Sequence, residues 1–183
     1  MSTKTTWQID TAHSAAEFAV KHLMISTVKG YFADVQGTVT ADDANPAAST
    51  VEVTIGVASI DTRDDKRDAH LKSGDFFDAE QYPTIRFTGK RINGPVDGEF
   101  TLVGDLTIRD VTREVTLAVE SAGRARDPWG GERAGYAATT RINRKDFGLT
   151  WNVALEAGGV LVGDDVKISI DLQLVKQAAQ AAA

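Results

Sequence analysis

The stretch DVKISIDLQLV, Asp165 to Val175, decides the fold. Val166, Ile168, Ile170, Leu172 and Leu174 alternate with Lys167, Ser169, Asp171 and Gln173. A period of two puts one set on each side of a pleated strand, with the apolar set turned to a core. The pattern recurs upstream. REVTLAVES carries Val115, Leu117 and Val119 on one face, and EFTLVGDLTIRD carries Phe100, Leu102, Leu106 and Ile108 with Gly104 between them. TVEVTIGVASI reads as one strand over Thr50 to Ile60, with Val51, Val53, Ile55 and Val57 together. Turn residues punctuate the runs at Asp42 to Pro46, Asn93 to Gly98, Pro128 to Gly131 and Gly163 to Asp165. About eight strands result, with no repeating helix between them, so the connections are hairpin-like and the sheet antiparallel. Strands this long favour a tilted, closed barrel, because closure removes exposed edges. Many strands with a single short helix suggest a sandwich or an up-and-down barrel, and the favoured expectation is an all-β fold, an eight-stranded antiparallel barrel over residues 1–176 with a short helical insert near residues 63–81.

Composition bounds the function. The chain has 183 residues, of which 42% are hydrophobic, enough for one sizeable core. A net charge of −6 argues against a nucleic-acid partner, which calls for a clustered basic face. No run approaches the roughly 20 apolar residues of a membrane span. MSTKTTWQID lacks the apolar core of a secretory signal, so a cytoplasmic location is expected. The absence of cysteine excludes disulfides, thiolate metal sites and cysteine nucleophiles. The tail, residues 177–183 of KQAAQAAA, is too short to hold a helix alone and is expected to be disordered.

One segment breaks the alternation: RDAHLKSGDFFDAEQYP, Arg67 to Pro83. Thr62 with Asp65 resembles a capping box, and Asp64 and Asp65 suit a helix N-terminus. The helix is expected to reach about Lys72, where Ser73 and Gly74 break it, with a second short turn over Asp75 to Glu80. Phe76 and Phe77 would anchor this lid to one end of the barrel.

Catalytic signals are sparse: no GxSxG, HExxH, phosphate loop or EF-hand occurs. His13, His22 and His70 match no local metal-ligand spacing, so no metal or cofactor is expected. His22 shares a face with Phe18 and Val20. It reads first as a hydrogen-bonded core residue and second as a polar group meeting a ligand at the barrel mouth. Asp68 and His70 lie two apart on a helix and do not face each other, and no orienting carboxylate can be placed beside His22 or His70. Gly30, Gly56, Gly89 and Gly104 fall inside strands, where glycine marks a bend or a close backbone approach and also leaves room inside.

An ordered set of motifs resembles the YceI-like family, also called polyisoprenoid-binding proteins. The set comprises IDTAHS (Ile9 to Ser14), FAVKH (Phe18 to His22), VKGYF (Val28 to Phe32), SIDT (Ser59 to Thr62), RDAHLKSGDFF with YP (Arg67 to Pro83), GDLTI (Gly104 to Ile108) and INRKDFGLTWN (Ile142 to Asn152). It extends from about Trp7 to about Lys176. The resemblance implies a lipocalin-like barrel with an apolar tunnel for a polyisoprenoid, an isoprenoid quinone or another long-chain lipid. It further implies a part in quinone transport, storage or metabolism, and it allows a homodimer. The RDAHL segment becomes the family's helical insert, with Arg67, Asp68 and His70 as scaffold ties.

On that reading the tunnel is lined by Phe18, Val20, Phe32, Val53, Ile55, Phe87, Leu102, Leu106, Leu117, Ile142, Trp151 and Ile168. His22, Asn143, Arg144 and Asn152, near strand ends, are candidates for a lipid's head group. No catalytic residue is assigned. Two rivals remain: a stress-related interaction protein with a packed barrel, and an enzyme using His22 or His70 as base on a lipid.

Overall fold

The computed structural model describes residues 4–179. Its β segments are β1 (Lys4–Ile9), β2 (Ala15–His22), β3 (Ser26–Phe32), β4 (Val35–Asp42), β5 (Thr50–Gly56), β6 (Ile60–Asp61), β7 (Thr84–Asn93), β8 (Glu99–Ile108), β9 (Val111–Arg126), β10 (Glu132–Asn143) and β11 (Val162–Lys176), with one α-helix, α1 (Asp65–Lys72), between β6 and β7. The first six segments join end to end into three long staves. β1 and β2 both lie along β11, β4 continues β3, and β6 continues β5. Each stave then pairs antiparallel with its sequence neighbour, and β11 returns to the first. The result is the closed, eight-stranded up-and-down barrel that the alternation predicts.

Three short breaks interrupt the first three staves, and side-chain hydroxyls satisfy the backbone groups they free. At the first, the Asp10 N–H donates to the Gln173 carbonyl at 2.8 Å, and the Gln173 N–H donates to Ser14 Oγ at 3.0 Å. Beside it, the Thr11 hydroxyl donates to the Val35 carbonyl at 3.0 Å. At the other two breaks the Asp34 N–H donates to Ser59 Oγ at 3.1 Å, and that hydroxyl donates to the Gly56 carbonyl at 2.6 Å. The strand expected over Thr50 to Ile60 therefore ends at Gly56. A 3-10 turn, Val57–Ser59, keeps Val57 buried and so preserves the apolar pattern through the break.

Gly163 to Asp165 is likewise no turn. It lies inside β11, where pairing with β2 slips between Val162 and Val166, so the residues form a bulge. The helix cap lies two residues later than the expected Thr62: Asp64 accepts from the Lys66 and Arg67 N–H groups, each at 3.0 Å, and Thr62 takes no capping role. Ser73 ends the helix, with its N–H bonded to the His70 carbonyl. Of the tail expected to be disordered, residues 177–179 follow β11 without regular structure, and 180–183 lie outside the described residues.

The insert between β6 and β7, the β2–β3 hairpin and the long β10–β11 loop gather at one end of the barrel, the insert end. The β4–β5 loop and the β7–β8 and β9–β10 turns gather at the opposite, turn end.

Candidate functional site

The barrel is hollow. Val51, Val53 and Ile55 of β5 and Val166, Ile168, Ile170 and Leu172 of β11 point inward, yet all are only half-buried. In a packed core such residues would be nearly inaccessible. They surround a cavity of about 370 Å³ whose wall runs from Trp7 and Val39 toward the turn end to His70 and Trp151 at the insert end. An eight-stranded barrel has room for one small ligand, and this volume falls in the usual range for such sites. The other wall is tighter, since Phe87, Leu102, Leu106 and Leu117 are buried. Outward positions such as Lys167 and Asp171 are exposed. The apolar face is thus inside, the reverse of a membrane-spanning barrel. Among the described residues no helix is long and apolar enough to cross a membrane.

Every apolar residue proposed for the tunnel lies on this wall: Phe18 and Val20 on β2, Phe32 on β3, Val53 and Ile55 on β5, Phe87 on β7, Leu102 and Leu106 on β8, Leu117 on β9, Ile142 on β10, Trp151 in the β10–β11 loop and Ile168 on β11. Two strand glycines serve close approach and leave no void. A Cβ on Gly30 would sit 2.5 Å from the Phe18 ring, and one on Gly104 would overlap the Phe87 ring. The aromatic rings occupy the space that the missing side chains give up.

The polar candidates divide. His22 lies on the wall, and no hydrogen bond reaches its ring among the described residues, so it is not the hydrogen-bonded core histidine expected first. Arg144 reaches the wall but is 4% exposed and committed to backbone carbonyls. Its Nη1 donates to Leu149 at 2.6 Å and Trp151 at 2.9 Å, and its Nε donates to Gly163 at 2.8 Å. Burial pushes its guanidinium below the ordinary arginine value, opposed by Asp164. Asn143 and Asn152 are off the wall. Asn143 caps the 3-10 turn Arg144–Phe147 by accepting from the Lys145 N–H, and Asn152 bonds both backbone groups of Val162. Proximity to strand ends suggested head-group contacts; the asparagines instead hold local loop geometry, which is what Asn does well near turns.

The insert closes its end through a polar core. Asp68, nearly buried, accepts from the Thr62 N–H at 2.9 Å and from the Thr62 hydroxyl. Arg67 donates from Nε to Thr62 Oγ1 at 2.8 Å and from Nη2 to the Thr62 carbonyl at 2.6 Å. Both residues tie α1 to Thr62, the residue that follows β6. Contrary to expectation, a carboxylate does stand beside His70: Asp75 Oδ2 is 2.8 Å from Nε2. The His70 ring also packs edge-on against Phe76 and Trp151, at centroid distances of 5.1 and 4.6 Å. Among the described residues no cluster of three or more His, Asp or Glu is placed to hold a metal.

Wall residues not put forward for the tunnel include Trp7, Val39 and Tyr136, while Leu71 belongs to the insert that closes the barrel. The short alternation Trp7–Ile9 carried a signal for the first. Tyr136, edge-on to Phe100 at a centroid distance of 6.1 Å, sits in the run GYAATTRI, whose small residues hide its period.

A YceI-like domain model matches residues 7–174. A UPF0312 protein of Staphylococcus aureus is 42% identical over 164 residues, covering 89% of this chain and 93% of its own. A UPF0312 protein of Vibrio vulnificus is 42% identical over 143 residues, 77% of this chain and 76% of its own. Among solved structures, BcnA of Burkholderia cenocepacia superposes with a TM-score of 0.76 at 25% identity, covering 90% of this chain and 98% of its own. A domain of Saccharophagus degradans named as polyisoprenoid-binding shares the fold, with a TM-score of 0.65 at 13% identity over 92% of this chain and 97% of its own.

Proposed function

The chain belongs to the YceI-like family, and from that premise we propose that it binds a long-chain isoprenoid or similar amphiphilic lipid inside the barrel, without chemistry of its own. The observation that carries this reading is the half-buried aliphatic lining of β5 and β11 around a cavity of about 370 Å³. The polyisoprenoid-binding domain shares only the fold; the chemistry of this lining supplies the argument for a lipid. Each buried methylene contributes about 0.8 kcal/mol, so one five-carbon isoprene unit contributes roughly 3–4 kcal/mol before the cost of ordering the chain. Tail length therefore sets affinity. His22, a wall residue whose ring takes no hydrogen bond among the described residues, meets the head group. Carrying or storing an isoprenoid quinone is the setting this binding suits.

The His70–Asp75 pair gives the enzyme reading a foothold, but the ring is held between Phe76 and Trp151 as part of the insert's packing. Native mass spectrometry of the purified protein, with organic extraction of what it carries, tests the binding. A stoichiometric prenyl lipid is the expected result. A bare protein that also ignores added prenyl lipid would favour a packed, partner-binding barrel. Leu106→Trp and Leu117→Trp, both on the wall, should abolish uptake while circular dichroism stays that of a β barrel. Undiminished uptake in both sinks the tunnel.

A further inference from the structure

The β2–β3 hairpin turns in an unusual way for its residues. The Ile25 N–H donates to the His22 carbonyl at 3.2 Å, and the two central residues, Leu23 and Met24, have φ of 53° and 61°. A turn with both central residues left-handed is the type that Asn and Gly fill, because a side chain there strains the backbone. Leu23 and Met24 bear that strain without being buried in return: they are 37% and 59% exposed, and Ile25 is 83% exposed. Val153, 46% exposed, adds to the same rim from the β10–β11 loop. The Leu23 N–H donates to the Leu161 carbonyl at 2.8 Å, and Met24 lies against Gly159, so hairpin and loop form one apolar ridge. Clustered exposed apolar residues mark an interaction site, whereas scattered ones do not.

We propose that this ridge docks the insert end of the barrel on an anionic lipid bilayer, so that lipid passes between membrane and cavity without crossing water. The proposal rests on the lipid-binding reading above. Two observations select a bilayer as the occupant. The inward face of the same hairpin, Val20, His22 and Val28, is cavity wall, so the exposed tip is continuous with the apolar interior. On its outer face Lys21 and Lys29 are exposed and in no ion pair among the described residues, in a chain whose net charge is −6. An apolar tip flanked by lysines is the pattern that enters the interface of anionic membranes.

The test is flotation of the full chain with vesicles of phosphatidylcholine mixed with phosphatidylglycerol. The double variant Leu23→Asn/Met24→Gly installs the residues this turn prefers, so the barrel keeps its stability; Ile25→Ser is the second variant. Each should lower vesicle partitioning, the double variant by about tenfold or more. Both should bind a dansyl-labelled farnesyl chain in solution as the parent does, since none of the three residues lines the cavity. Lys21→Gln/Lys29→Gln should weaken partitioning only where phosphatidylglycerol is present. Trp129→Ser, at the turn end and 86% exposed in the parent, should change nothing. The proposal is overturned by a parent protein that does not float, by tip variants that float as well as the parent, or by detachment on Trp129→Ser. Tip variants that lose a dimer in light scattering while keeping vesicle binding also overturn it. A parent that floats through its tip but ignores the farnesyl probe removes the cavity reading and leaves the docking surface standing.

Discussion

The two halves of the barrel solve the same problem differently. The first three staves are each broken once, at Asp10–Ser14, Ala33–Asp34 and Val57–Ser59, whereas β7 to β11 are each one continuous strand. β8 and β9 stay in register from Glu99↔Glu120 to Ile108↔Val111. Beyond the breaks, β3 meets only the two-residue β6 on its outer side, so the sheet there lacks a full neighbour. The insert covers that region: Phe77 packs edge-on against Phe32 of β3, Leu71 joins the same core, and Phe76 is buried against His70 and Trp151. The unbroken half holds the cavity's shape, and the broken half trades strand pairing for a place to seat a plug. Hydroxyl groups of Thr11, Ser14 and Ser59 make the trade tolerable.

Removing the plug is the harshest way to break this asymmetry. Phe76→Ala, at a residue 7% exposed, should cost about 3–5 kcal/mol in urea unfolding. Hydrogen exchange in that variant should speed up in β2, β3 and β6 and leave β8 to β10 protected; uniform loss of protection would show that the halves are one unit. Next come the two glycines. Gly104→Ala in the unbroken half should cost about 1–3 kcal/mol. Gly30→Ala in the broken half should cost less, because a new methyl there meets the Phe18 ring and the Thr62 methyl, while at Gly104 it also meets the Thr88 carbonyl, which pairing holds in place. Equal midpoint shifts would refute the distinction. Smaller again, Ser59→Ala should cost about 1 kcal/mol. Thr112→Ala, which removes an exposed hydroxyl pair with Thr107 on β8, should stay within about 0.5 kcal/mol.

The mildest probe is pH, acting where the halves meet. Arg133 on β10 bridges Asp10 at the first break (2.6 Å) and Asp127 in the β9–β10 turn (3.0 Å). The Arg133 guanidinium holds the Asp10 carboxyl below the usual aspartate value. Backbone N–H donation from Gly131, then Arg133, does the same for Asp127. Because both folded values lie below the unfolded value of about 3.9, this stabilisation is complete above that pH and is lost as pH falls through the folded values. The urea midpoint should therefore drop on acidification below about pH 4, and the drop should shrink in Arg133→Met. An unchanged acid limb in that variant would remove the bridge from the account.

The alternation of β8, β9 and β11 made the barrel, its antiparallel order and most of its lining legible before any coordinates. That pattern is local, and a strand's inward face is set by a period of two wherever it lies. The breaks were illegible for the same reason. Val57 remains inward across the 3-10 turn, so the apolar sequence continues where the strand does not. Gly163 to Asp165 carry turn residues, but pairing of β11 with β10 runs through Asp165↔Asn143 and keeps the strand going. Polar site residues failed differently. Asn143, Arg144 and Asn152 sit near strand ends as expected, yet which backbone groups they satisfy depends on the conformation of a loop whose sequence has no period.

The pairing of the first stave with β11 has a consequence for how the chain is made. Every other neighbour in the barrel is also a neighbour in sequence and can pair as soon as it is synthesised. The register Trp7↔Lys176, Gln8↔Val175, Ile9↔Leu174 joins residues from opposite ends of the chain. Until those last residues leave the ribosome, the nascent sheet has two open edges and its apolar face has nothing to enclose. Closure is thus a late event of high contact order, and it falls when the unfinished barrel is most liable to pair with another chain.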